Sequence, residues 1–117
     1  MFDPFKNLPG KFSTNDGTID FYLRVRSLLN KKKVVLDLGA VEGNWFNDKK
    51  NNKLRKSIQF LKNDVKKFYS VDIDKAVLKN KSSHQNLLIK NNLIPLKNSS
   101  VDIIICDWVF EHIESPY

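Results

Sequence analysis

The chain has 117 residues, 41% hydrophobic and 28% charged, a balance that suits one soluble globular unit. It holds no run of about 18 apolar residues, so no membrane span is expected, and the opening MFDPFKNLPG lacks the basic-then-apolar pattern of a secretory signal. The single cysteine, Cys106, excludes an internal disulfide and fits a reducing compartment, so a cytoplasmic location is expected. The net charge of +7 invites a nucleic-acid reading, but of the 20 basic residues only Arg24, Arg26 and Arg55 are arginine. Base-edge and phosphate recognition favours the planar fork of arginine. Clusters such as Lys31-Lys32-Lys33 and Lys49-Lys50 read instead as solvated loops, and a nucleic-acid partner is not expected.

Residues 1–17 are turn-rich, with Pro4, Pro9, Gly10 and STNDG, and read as an irregular lead-in. From Thr18 onward Ile19, Tyr22, Leu23, Arg26 and Leu29 form a stripe at helical spacing that Asp16 or Thr18 would cap, ending near Lys31–Lys33. VVLDL follows as a strand apolar on both faces, as in a parallel sheet covered on two sides. After Gly43 come a short segment, NWFND, and a polar insert, KKNNK. Leu54, Ile58, Leu61 and Val65 then mark one face of a second helix. FYSVDI reads as a second strand, DKAVL as the opening of a helix or turn, NLLIK as a third strand, NNLIPLKNSS as a loop and VDIIICDW as a fourth strand. No repeat or linker interrupts this order. Residues 1–117 are therefore expected to form one domain, with residues 18–117 a doubly wound parallel α/β sheet.

Asp37, Asp72 and Asn91 lie at or near the C-terminal ends of three of these strands, and Cys106 and Asp107 end the fourth. In an open parallel sheet those ends border the crevice where ligands bind. The residue types suit a nucleoside. Gly39 and Gly43 let backbone amides approach a ligand closely. Asp72 can accept two hydrogen bonds from a ribose diol, Asn91 can read an adenine edge, and Ile73 and Leu93 can sandwich a base. The competing local explanation is that Asp72 and Asp74 cap the next helix. Asp37 poses its own question, because an ionised group in a buried strand is costly unless something pairs with it.

VVLDLGAVEG, YSVDIDKAVL and IPLKNSSVDIIICDWVFEHIESP resemble, in order, the first, second and fourth signature regions of class I S-adenosylmethionine-dependent methyltransferases of the type-11 family. The resemblance implies a Rossmann-like sheet, with S-adenosyl-L-methionine as cofactor. It also implies a role for each matching position. Asp37 would orient the glycine loop and the methionine amine, and Gly39, Ala40 and Gly43 would form the loop beneath the methionine part. Asp72 would hold the ribose hydroxyls, Ile73 and Asn91 would flank the adenine, and Cys106, Asp107 and Trp108 would line the side facing the acceptor. Two departures stand out: Val41 replaces the middle glycine of the loop, and Asn91 replaces the usual Asp.

Methyl transfer from a sulfonium is an in-line displacement, so the protein mainly has to align acceptor and methyl and exclude water. A small-molecule acceptor is expected, and no metal site, since the two histidines and one cysteine show no ligand spacing. His112 stands where the family has a histidine. It is either a general base on an acceptor hydroxyl or a packing residue at a helix start. The family's sheet has seven strands, so the resemblance implies that residues 1–117 are the N-terminal part of such a domain, inactive alone. Two other classes stay open: a nicotinamide-dependent dehydrogenase fragment, although G-x-G-x-x-G is absent, and a non-catalytic nucleoside- or nucleic-acid-binding module.

Overall fold

The computed structural model describes residues 17–107. The expectations for the lead-in, for Trp108 and for His112 lie outside these residues. The first helix, α1, spans Gly17–Arg26, with Asp20 in its first turn and Arg24 and Arg26 in its last, the distribution that complements a helix dipole. Its buried residues are Tyr22 and Val25, with Phe21 and Leu29 packed alongside. The inner face is thus rotated from the predicted stripe, and Leu23 is half exposed. The helix also stops earlier than predicted. Beyond Arg26 the chain tightens through bonds from Leu28 N to Val25 O and Leu29 N to Arg26 O.

Arg26, on the inner side of α1, is a polar anchor rather than an apolar contact. Its Nε donates to Ile58 O at 2.6 Å, Nη2 donates to Ser57 O and Phe60 O at 2.8 Å each, and Nη1 meets Asp64 Oδ2 at 2.9 Å. These carbonyls close the end of α3, Lys53–Gln59, whose start is capped by the Asn52 side chain. One guanidinium thus supplies donors to carbonyls that a helix end leaves without partners. A four-residue helix, α2, Asn44–Asn47, precedes α3, and a 3-10 turn, Lys62–Asp64, follows it. The predicted helical face survives only in part: Ile58, Leu61 and Val65 reach the core, while Leu54 is exposed.

The strands β1 (Val34–Leu38), β2 (Lys67–Asp72), β3 (Gln85–Leu88) and β4 (Ile103–Ile105) form one sheet in the order β3-β2-β1-β4. Every pairing is parallel. This is the expected Rossmann-like α/β arrangement. β3 ends at Leu88, two residues before the predicted strand does, and β4 is confined to the three isoleucines. On one face Val35, Phe68 and Ile105 pack against Tyr22, Val25, Leu61 and Val65. On the other, Leu36, Val71 and Leu87 are covered by Ile89, Ile94, Leu96 and Val101 from the loop that joins β3 to β4.

Side chains complete the pairing at the strand starts. Asp102 Oδ2 accepts from Val34 N at 2.8 Å, and His84 Nδ1 accepts from Phe68 N at 2.9 Å. Accepting that bond requires a neutral ring. Partial burial, then the nearby Lys62 and Lys67, push the His84 pKa below its usual value.

Candidate functional site

Alternation along the strands assigns each polar side chain to a face. Val35 and Phe68 are register partners in the helix-covered core, so Asp37 and Ser70, the next partners but one, share that face above them. Asp72 follows on β2, and Asp107 lies just past β4. The helix-covered face is therefore apolar at its base and polar at the C-terminal ends of the strands.

Protein crowds Asp37 closely enough that desolvation, with Asp107 next and Asp72 after it, pushes its pKa up to about 7. Among the described residues no ion pair or hydrogen bond engages its carboxyl. The same group acts on its neighbours. Burial raises the Tyr22 phenol far above its usual range, with Asp37 and then Asp107 adding to the effect. Burial and then Asp37 also raise the Cys106 thiol. Asp37, Asp72, Asp107, Tyr22 and Cys106 are thus one electrostatic neighbourhood.

The loop after β1 is bound to the end of β2. Gly39 N and Ala40 N donate to Val71 O at 2.7 and 3.3 Å, and Val41 N donates to Asp72 Oδ2 at 2.9 Å. Gly39, Val41 and Gly43 adopt φ of 79°, 50° and 69°, the left-handed region that glycine enters freely and a β-branched residue enters at a cost. Val41 therefore stands in strained backbone at the position where the family has glycine. Asp72 is buried, and its other oxygen accepts from Asp74 N at 3.1 Å. The local explanation is thus partly right: Asp74 caps the 3-10 turn Lys75–Lys79, while Asp72 ties the glycine loop to β2. Each Asp72 oxygen keeps a further lone pair.

Asn80 is a site residue that sequence reasoning missed. It is buried, its Nδ2 donates to Val41 O at 3.1 Å, and its Oδ1 accepts from Ser82 N and Ser82 Oγ. Its amide also lies 2.9 Å from where a Cβ on Gly43 would stand. Gly43 is needed there for its missing side chain as well as for its φ. In the sequence Asn80 sits in the polar run KNKSSHQN, which carries no signal that one amide folds inward.

Ile73 is 72% exposed beside Asp72, an apolar surface open to a ligand. Asn91 stands apart. It is exposed, beyond the end of β3, in a two-residue turn closed by reciprocal bonds between Lys90 and Leu93. Asn91 and Asn92 both have positive φ, which gives asparagine a local reason to be there. A hollow of about 320 Å³, lined by Thr18, Trp45, Asp48, Lys50, Asn51, Arg55, Gln59 and Asp107, adjoins the acidic cluster through Asp107. A larger apolar groove of about 740 Å³ lies at the other face, along Leu87, Leu93, Ile94 and Leu96. Among the described residues no cluster of His, Cys, Asp or Glu is arranged to hold a metal ion, and no helix is long and apolar enough to cross a membrane.

A parallel sheet in the order 3-2-1-4, with a glycine loop after its first strand and a carboxylate ending its second, defines a Rossmann-like α/β architecture. The family model described as a methyltransferase domain, type 11, matches residues 53–117. The chain belongs to this family of class I S-adenosylmethionine-dependent methyltransferases. The matched stretch contains Asp72, Asn91 and Asp107, whereas Asp37 and the glycine loop precede it. Neither the comparison with curated proteins nor that with solved structures gives a match.

Proposed function

We propose that the protein binds S-adenosyl-L-methionine at the C-terminal ends of β1, β2 and β4 and transfers its methyl group by in-line displacement to a small-molecule acceptor. The observation that carries this reading is the placement of Asp37 and Asp72 at the ends of adjacent parallel strands around the Gly39–Gly43 loop, in a chain of a methyltransferase family. The cofactor, when bound, supplies an activated methyl on a sulfonium. The residues present fit it. Asp37, crowded by acidic neighbours and without a counter-charge among the described residues, suits a cationic amine. Asp72 is oriented by Val41 N and Asp74 N and keeps lone pairs for hydroxyl donors. Ile73 offers an apolar surface to a base.

Chemistry at such a site asks the protein for alignment and exclusion of water, and few side chains need exchange protons. Cys106 and Asp107 line the acceptor side in this reading. The hollow between α1, α2 and α3 that Asp107 shares is of a size for a small molecule. Trp108 and His112 lie outside the described residues; the family resemblance assigns them to the acceptor side, with His112 a candidate base toward an acceptor hydroxyl. The test is calorimetry with S-adenosylhomocysteine. Asp72→Ala removes two charge-assisted bonds and is expected to weaken binding by about 2–4 kcal/mol. Unchanged affinity would overturn the assignment of Asp72.

A further inference from the structure

Ser70 is fully buried in the middle of β2, and among the described residues its Oγ has no hydrogen-bond partner. An orphaned buried hydroxyl is a penalty that alanine would avoid at almost the same volume. Its position suggests what it is for. Ser70 is the register partner of Asp37, on the same face of neighbouring strands, whose backbones run about 4.8 Å apart. One step below, Val35 and Phe68 make the equivalent pair in the apolar core. Asp37 and Ser70 are thus the first polar pair above that core, and neither side chain is satisfied by the other as they stand.

The groups that face Asp37 are Asp72 on β2, Asp107 and Cys106 past β4, and the Tyr22 phenol from α1. None carries positive charge. Among the described residues around it, the two hydroxyls, of Ser70 and Tyr22, and the Cys106 thiol are the groups able to donate. Gln59 already interacts with the Tyr22 hydroxyl, and a thiol is a weak donor. A serine hydroxyl turns about χ1 with no backbone movement.

We propose that Ser70 is a positioning residue for Asp37, its hydroxyl donating to the ionised carboxylate either directly after rotation or through one buried water. The pairing stands on the register and the orphaned hydroxyl. Only the identity of the cation that Asp37 then meets rests on the cofactor reading above. In this arrangement Ser70 holds the carboxylate in one orientation at the base of the glycine loop.

The test follows the Asp37 carboxyl by carbon-13 NMR titration in the unliganded protein, in wild type, Ser70→Ala and Ser70→Thr. Loss of the donor in Ser70→Ala is expected to move the Asp37 midpoint up by about half a pH unit to one unit. Ser70→Thr, which keeps the hydroxyl, is expected to restore it. An unchanged midpoint in Ser70→Ala, with a raised melting temperature, would show that Ser70 only fills space and would overturn the proposal. S-adenosylhomocysteine binding by the same proteins separates the two claims. Wild type that fails to bind overturns the cofactor reading, while the titration still decides the role of Ser70.

Discussion

Val41 holds a β-branched side chain at φ 50° and leaves it 42% exposed, so it carries strain with little packing in return. Left-handed backbone costs a non-glycine residue about 1–2 kcal/mol, and glycine returns roughly 0.5–1 kcal/mol of that through its freer unfolded chain. Val41→Gly is therefore expected to raise stability by up to about 1 kcal/mol, read as a higher thermal midpoint. A lower midpoint would show that the valine packs usefully. This strain was legible in the sequence, because the family's loop has glycine at that position. Asp37 was legible too, as a carboxylate at the end of an apolar strand. Ser70 and Asn80 were not: a serine in a strand and an asparagine in a polar run reveal their roles only when register and loop contact bring distant residues beside them. Asn91 reads in sequence as an adenine contact, and the structure adds a turn conformation that favours asparagine whatever it binds.

Among the elements, one side chain of α1 makes four of the bonds that tie it to α3 and the turn after it. Arg26 joins three carbonyls at the end of α3 to Asp64. Arg26→Ala is expected to cost about 2–3 kcal/mol in chemical denaturation, a figure reduced because the ion pair with Asp64 is partly exposed. Arg26→Lys is expected to recover little of it, since an ammonium cannot match the fork. Equal stability of wild type and Arg26→Ala would show that apolar packing alone docks the helices. The sequence pattern placed Arg26 on the buried stripe for a sound reason, as it does lie on the inner side of α1, but periodicity cannot distinguish an apolar contact from a guanidinium capping a neighbouring helix. β1 and β2 were legible because their apolar runs are nearly continuous. β3 was placed too far along because NLLIK stays apolar after pairing has stopped, where Ile89 turns to cover the loop-packed face.

At the scale of the whole molecule, the sheet order β3-β2-β1-β4 gathers the C-terminal ends of β1, β2 and β4 into one crevice. The electrostatics of that crevice make a testable link between stability and binding. The Asp37 pKa, about 7 in the folded chain, lies above the unfolded carboxylate value of roughly 4. Its stabilising contribution is therefore complete below about pH 4 and is lost as pH rises through about 7. A cation reverses the preference: it favours the ionised carboxylate, so its binding strengthens over the range in which the unliganded protein weakens.

The most direct measurement is calorimetric titration of the protein with S-adenosylmethionine at pH 6 and pH 8. Binding at the ends of β1 and β2 predicts saturable association that is tighter at pH 8 and releases protons at pH 6, with no comparable heat from NAD. Absence of binding at both pH values, or equal heats from NAD, would contradict the assignment of this crevice as a methyl-donor site.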